Sequence, residues 1–185
     1  MKWNAHWDVV RQSKHALLGA SKWHWINYPP EKVPRILEAF QQAQHGTELH
    51  AFAADCIRLR EKLAKKKRTL NLYVNDAIGY LMDPEVVLYY SDNCFGTADA
   101  ISFRNNMLRI HDLKTGEIPA HIEQLEIYAA LFCLEYHYKP AEIDIELRIY
   151  QNNEVAIYAP EPEEILRIMD RIVEYDKIIE MSKEA

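Results

Sequence analysis

The stretch ADAISFRNNMLRIHDL, residues 98–113, decides how this chain folds. Residues 98–103 and 107–113 read as strands, and Arg104-Asn105-Asn106 between them is typical of a tight turn. Apolar side chains also alternate with their neighbours over residues 86–90. The pattern therefore predicts a three-stranded antiparallel meander.

Hydrophobic spacing predicts helices on both sides of this meander. Four segments repeat an apolar residue every three or four positions: residues 33–43, 48–66, 119–139 and 162–181. Residues 143–149 alternate strictly and continue into residues 155–158 across an Asn-rich turn, which predicts a second hairpin. This order of elements predicts an α/β fold, with a central mixed β-sheet flanked by helices.

Length and composition favour one soluble domain. The chain has 185 residues, of which 49% are hydrophobic, enough to form one sizeable core. Apolar runs stay below the ~18 residues that span a bilayer, and the first ten residues do not resemble a signal peptide. We expect a cytoplasmic protein without membrane contact, divided into an N-terminal helical segment (1–45), a core (46–160) and a C-terminal helix (161–185).

The charge distribution bears on nucleic-acid binding. A net charge of -6 argues against a broad DNA-binding surface, because binding to phosphates uses Lys and Arg. Residues 62–68 nevertheless contain five basic side chains, whereas residues 161–184 carry much of the acid. Such a run is most often a solvated helix end, and it is also a candidate DNA contact.

Two aspartates and a lysine in the central stretch suit a hydrolytic metal site. If the strands pair, Asp99 approaches Asp112, and carboxylates ~4 Å apart repel by about 4 kcal/mol unless a cation offsets them. Their oxygens and the backbone carbonyl of Leu113 suit Mg²⁺, with Mn²⁺ as a substitute. Lys114 would point the same way as Asp112 and orient an attacking water. The alternative is an exposed Asp–Lys pair without chemistry.

Four short blocks with functional side chains follow one another along residues 46–128. They are Gly46-Thr47-Glu48-Leu49-His50, Gly96-Thr97-Ala98-Asp99, Asp112-Leu113-Lys114-Thr115-Gly116 and Gln124-Leu125-Glu126-Ile127-Tyr128. Together they resemble the PD-(D/E)XK nucleases, in the RecB-like and λ-exonuclease-like branch. The resemblance implies a restriction-endonuclease-like core and metal-dependent hydrolysis of DNA.

The resemblance also implies a role for each matching side chain. His50, Asp99 and Asp112 correspond to metal ligands, with Asp112 at a position that is often Glu in the family. Glu48 is a rival of His50, but the two point ~200° apart on a helix, and the family's spacing favours His50. Lys114 corresponds to the catalytic lysine.

The fourth block corresponds to residues that family members use near the substrate phosphate. Gln124 and Tyr128 lie four positions apart, which places them on one face of a helix. Considered without the family pattern, a surface Gln and a partly buried Tyr are equally good interpretations. On the strength of the resemblance, we expect both side chains to belong to the catalytic site, near the substrate phosphate.

The segment from Ser21 to Pro29 resembles the N-terminal aromatic segment of the family, where Cys often precedes Pro and Tyr28 stands here. Some relatives bind an iron-sulfur cluster through four cysteines. This chain has three scattered ones, at Cys56, Cys94 and Cys133, so we expect buried thiols and no iron-sulfur cluster. Trp23 and Trp25 either stack on a base or, more commonly, pack in the core.

The resemblance implies an exonuclease that acts on linear DNA in recombination, repair or phage DNA processing. Expected partners are DNA and a recombination protein such as a single-strand annealing protein, in a bacterial or phage-infected cell. Two alternatives stay open. One is a non-catalytic DNA-binding or assembly protein with the same fold. The other is an endonuclease active only as a homo-oligomer, whose assembled surface supplies the positive charge.

Overall fold

The computed structural model describes residues 1–7, 16, 18–32, 48–115 and 120–183. Short 3₁₀ segments cover Ala20–Asn27 and Pro30–Lys32. The main elements then follow as α1 (Glu48–Leu59), α2 (Thr69–Gly79), β1 (Asp83–Ser91), β2 (Cys94–Arg104), β3 (Met107–Leu113), α3 (Glu123–Tyr136), β4 (Asp144–Gln151), β5 (Glu154–Tyr158) and α4 (Pro162–Lys183). The helix predicted over residues 33–43 lies outside the described residues, as do Gly46, Thr47 and Gly116.

The five strands form one mixed sheet in the order β1-β2-β3-β4-β5. The first three pair antiparallel, β3 and β4 pair parallel, and β4 and β5 form a hairpin. Asn105 and Asn106, like Asn152 and Asn153, have positive φ angles, which two-residue hairpin turns of type I′ require. The predicted mixed α/β fold is confirmed, including the meander and the second hairpin.

Helices cover both faces of the sheet. On one face α3 packs between the strands and α4, and every residue from Gln124 to Cys133 is buried. On the other face α1 and α2 cover a second apolar cluster that includes Leu113 and Tyr150. None of the described helices is long and apolar enough to cross a membrane. The three cysteines are buried free thiols, as expected.

The prediction of one helix over residues 48–66 is wrong. The helix ends at Leu59, because Arg60 adopts a left-handed conformation with a φ of 57°. The chain then forms a loop, and α2, which the hydrophobic pattern did not reveal, begins at Thr69. The Leu63 backbone N–H and C=O both bond the side chain of Asn75, at 2.9 and 3.0 Å. This long-range contact keeps residues 60–68 from continuing α1.

Candidate active site

The register of the central hairpin brings Asp99 and Asp112 to the same end of the sheet. β2 and β3 pair from Arg104 with Met107 up to Ala100 with His111. The next step of that register sets Asp99 against Asp112. One oxygen of the Asp99 carboxylate, Oδ2, accepts a hydrogen bond from the Leu113 backbone N–H at 2.9 Å. The two predicted metal aspartates therefore lie on neighbouring strands where the ladder ends.

Asp112 and Lys114 point to the same side of β3, as predicted from alternation along a strand. Between them Leu113 is 1% exposed and packs under α1 and α2. Lys114 Nζ lies 3.0 Å from Asp112 Oδ2 and donates to Oδ1 at 3.3 Å. The lysine side chain remains partly open to solvent, whereas the aspartate is buried. This arrangement leaves the amine at the boundary between protein and solvent.

Asp112 is a buried carboxylate that is incompletely satisfied. Its Oδ2 is close to Nζ, but among the described side chains it has no partner with hydrogen-bond geometry. Burial, and next the charge of Asp99, raise the pKa of Asp112 to about 6. The Lys114 ammonium offsets part of the cost of this buried carboxylate, and a metal ion bound directly to Oδ2 would offset more of it.

His50 reaches the site from the first turn of α1. Its Nδ1 lies 3.4 Å from Asp99 Oδ2, and this contact raises the pKa of His50 despite the opposing effect of burial. The negative charges of Asp99 and Asp112 raise that pKa further. The side chain of Glu48 lies outside the described side chains, so the choice of His50 over Glu48 stays a prediction.

Gln124 and Tyr128 extend the site into α3. Gln124 Oε1 accepts a hydrogen bond from Lys114 Nζ at 2.7 Å, and its amide nitrogen is 3.5 Å from Tyr128 Oη. Tyr128 is buried, and its hydroxyl donates to the backbone carbonyl of Thr97 at 2.6 Å. Lys114 is thus held between a carboxylate on its own strand and an amide on the helix.

The close approach of Tyr128 to β2 explains the glycine of the second block. A Cβ atom added to Gly96 would lie 2.9 Å from Tyr128 Cε1, closer than such contacts allow. Glycine at this position lets α3 sit directly over β2. The position of the Tyr128 ring depends on that space, and so does the position of Gln124, which contacts the Tyr128 hydroxyl.

Glu85 on β1 lies beside the candidate site, and the sequence pattern did not predict it there. It falls opposite Asp99, between the pairs Pro84 with Ala100 and Val86 with Ala98. Its φ is 53°, and burial followed by the charge of Asp99 raises its pKa, although it keeps contact with solvent. An acidic residue directly before an apolar run was the available signal, but the run does not reveal a left-handed backbone.

The donor set fits a hard divalent cation in its chemistry, although its side chains are not yet gathered around one point. Within the described ranges, no three His, Cys, Asp or Glu side chains form a group that could hold a metal ion. Protein groups contact part of the donor set instead: His50 contacts Asp99, and Lys114 contacts Asp112. Two carboxylates suit Mg²⁺ or Mn²⁺, and the unsatisfied Asp112 Oδ2 supports that fit.

The two tryptophans of the N-terminal aromatic segment differ in role. Trp25 is 1% exposed, donates its indole N–H to the Gly19 carbonyl and packs edge-on against Tyr175, so core packing is confirmed for it. Trp23 is half-buried, with its ring centroid 4.0 Å from that of His24 and 4.4 Å from that of His121. Contact of Trp23 with a base stays a prediction.

No protein-family model matches the chain, and a search of curated proteins gives no match. A solved structure titled "Crystal structure of SSO0001" is similar over 74% of this chain and 81% of that chain, at 13% identity and a TM-score of 0.30. A likeness this weak carries no argument about fold or function. Any functional conclusion depends on the sequence blocks and on the site itself.

Proposed function

We propose that this protein is a metal-dependent deoxyribonuclease of the PD-(D/E)XK type that hydrolyses phosphodiester bonds. The observation that carries the proposal is the buried Asp112 carboxylate, with one oxygen unsatisfied, between Asp99 on the next strand and the amine of Lys114. A structural ion pair alone does not explain why such a costly group is retained beside a second carboxylate.

Four groups would hold the cation: the carboxylates of Asp99 and Asp112, the imidazole of His50 and the backbone carbonyl of Leu113. When bound, Mg²⁺ or Mn²⁺ would lower the pKa of an attacking water and offset charge on the substrate phosphate. His50 would have to turn from Asp99, and Lys114 from Asp112 Oδ2, to free their oxygens. Neutral imidazole is the form that binds a metal, so the raised pKa of His50 means that a proton competes with the cation for this side chain.

In this proposal Lys114 is the catalytic residue, and the groups around it position its amine. Its amine would donate to a non-bridging phosphate oxygen or orient the attacking water, where negative charge develops in the transition state. Gln124 fixes the amine through the 2.7 Å hydrogen bond, which limits the orientations it can adopt. Tyr128 is buried with its hydroxyl engaged, so it acts as a positioning residue for Gln124 and does not touch substrate.

Exonuclease activity on linear DNA fits this chain better than sequence-specific cutting. Within the described residues, all strands belong to one sheet and no separate domain is present that could read a sequence. Such an enzyme would work in recombination, repair or phage DNA processing, in the cytoplasm of a bacterial or phage-infected cell. A single-strand annealing protein would be a suitable partner, since it would use the strand that digestion exposes.

The test is degradation of three labelled substrates: linear duplex, linear single-stranded DNA and closed circular DNA. Each is incubated with Mg²⁺, Mn²⁺ or EDTA. The proposal expects loss of linear DNA that depends on the metal, with the circle intact. Cutting of the circle would indicate an endonuclease. Intact DNA in every lane, with binding retained, would favour the non-catalytic alternative.

A further inference from the structure

The loop that separates α1 from α2 carries a concentration of positive charge in an acidic protein. Residues 62–68, here called the basic loop, contain five exposed basic side chains: Lys62, Lys65, Lys66, Lys67 and Arg68. Asp and Glu are absent from residues 62–75. The structure shows a loop here, not the helix end that the sequence suggested, so these charges project from irregular backbone at the surface.

The charges of the basic loop are not neutralised locally. In the part of the chain that the structure describes, none of its five cations forms an ion pair. Basic residues elsewhere are commonly paired: Arg109 with Glu146, Lys139 with Glu142, and Arg148 with both Glu146 and Asp76. The loop is therefore a site of unbalanced positive potential in a chain whose net charge is -6.

The backbone of the basic loop is held in place by α2. Asn75 bonds both backbone groups of Leu63, and the Asn71 side chain donates to the Ala64 carbonyl at 2.8 Å. The loop leads into Thr69, which exchanges two hydrogen bonds with Asn153, at 3.0 and 2.8 Å. These contacts fix the backbone on both sides of residues 65–68, which lowers the backbone part of the entropy cost of binding a ligand.

The same contacts place the basic loop at the catalytic end of the sheet. Asn153 lies in the turn that follows β4, three residues after Tyr150, whose carbonyl accepts the backbone N–H of Lys114 at 2.9 Å. Three residues of chain span at most roughly 10 Å, and less through a turn. Adding the hydrogen bonds at both ends, Arg68, which precedes Thr69, lies within on the order of 20 Å of the Lys114 backbone, at most about six base steps in duplex DNA.

We infer that the basic loop binds the phosphodiester backbone of DNA within about six steps of the bond placed at Lys114. This inference rests on the proposed function, because it takes the DNA to be the substrate of that site. The loop supplies the positive surface whose absence from the overall composition argued against a nucleic-acid role. It also gives the substrate a direction across the protein, from the catalytic end of β3 past the β4–β5 turn to α2.

The test compares two triple variants that change the net charge equally. One is Lys65→Gln/Lys66→Gln/Lys67→Gln in the basic loop. The control is Lys2→Gln/Lys139→Gln/Lys177→Gln, which removes three exposed lysines from other parts of the surface. Binding of a labelled 20-base-pair duplex is measured in EDTA over a series of KCl concentrations, so that no cleavage occurs.

Three phosphate contacts contribute about 2.7 to the slope of log K against log salt. The loop variant should therefore lose about that much slope, and on the order of 500-fold in affinity at 0.1 M salt if the two proteins bind equally at 1 M. The control should keep the slope of the wild type. Equal slopes in all three proteins, equal losses in both variants, or no binding by the wild type would overturn the inference.

Cleavage in Mg²⁺ separates this inference from the proposed function. A wild type that cleaves DNA, beside a loop variant that binds with unchanged slope, would overturn the inference alone. A loop-dependent affinity without cleavage by the wild type would overturn the proposed function and leave the DNA-binding role of the loop standing.

Discussion

Asp99 on β2 accepts a hydrogen bond from the backbone N–H of Leu113 on β3, at 2.9 Å. The bond lies just beyond the last pair of the hairpin ladder, Ala100 with His111. It ties one carboxylate to the strand segment that carries Asp112 and Lys114, so the spacing of the three groups follows from the backbone. A geometry fixed in this way costs no rearrangement of the strands when substrate binds.

Asp112→Asn should abolish metal-dependent stabilisation. A cation that binds only the folded protein stabilises it by about 2.7 kcal/mol at a hundredfold excess over its dissociation constant, and the amide cannot replace the carboxylate as a charged ligand. Thermal melts with and without Mn²⁺ should show a rise in Tm for the wild type and none for the variant. An equal rise in both proteins would show that the metal binds elsewhere.

Glu126 on α3 should make stability depend on pH. Burial, and then the charges of Glu164 and Glu123, raise its pKa from 4.5 to about 7. The folded state therefore holds this proton more tightly than the unfolded state. The resulting contribution to the free energy of unfolding is present below pH 4.5 and is lost as pH rises through about 7.

Glu126→Gln should remove that dependence. We expect the variant to be more stable than the wild type at pH 8, by on the order of 1 to 3 kcal/mol, with the difference shrinking toward pH 5. Urea unfolding of both proteins across this range measures the difference, in which the other titrating groups cancel. A constant difference between pH 5 and 8 would contradict the effect assigned to Glu126.

His50→Ala should reduce cleavage far more than Glu48→Ala. His50 Nδ1 is 3.4 Å from Asp99, and loss of a metal ligand should lower the rate by at least roughly 100-fold. Initial rates at saturating Mg²⁺, for variants whose far-UV circular dichroism matches the wild type, measure this. Comparable losses for the two variants would show that the wrong residue of the first block was assigned to the metal.

Gly96→Ala should displace the Tyr128 ring, because the new Cβ would lie 2.9 Å from Tyr128 Cε1. We expect a loss of about 1 to 3 kcal/mol in the free energy of unfolding, with a lower cleavage rate as Gln124 shifts. Gly79→Ala is the control, since nothing lies within 4 Å of its added Cβ. Full stability of the Gly96 variant would mean that the helix can move away without cost.

Much of the sheet could be predicted from local pattern alone. Two Asn-Asn pairs supply the positive φ angles that each hairpin turn requires, and the strands beside them alternate clearly. The end of α1 could not be predicted in this way, because its apolar spacing continues into the basic loop. The break follows from the left-handed Arg60 and from contacts distant in sequence, such as that of Leu63 with Asn75, twelve positions apart.

The candidate site, like the fold, has some features that follow from local sequence pattern and others that depend on contacts between distant residues. Asp112 and Lys114 share a side of β3 because alternation requires it, and Gln124 and Tyr128 share a helix face at a spacing of four. The position of Glu85 beside Asp99 depends on a left-handed residue inside a strand, which no local pattern indicates. The bond from Tyr128 to the Thr97 carbonyl joins distant segments and needed the packed structure.

The most direct test of the account is the initial rate of linear duplex degradation in Mg²⁺ by Lys114→Ala, beside Lys177→Ala and the wild type. Lys177 is exposed on α4, whereas removal of Lys114 leaves the buried Asp112 without its ammonium partner, so far-UV circular dichroism must show that each variant is folded before rates are compared. We predict a loss of at least about 100-fold for Lys114→Ala, because charge stabilisation at the transition state is removed, and wild-type activity for Lys177→Ala. Degradation by folded Lys114→Ala at the wild-type rate would contradict the assignment of this centre.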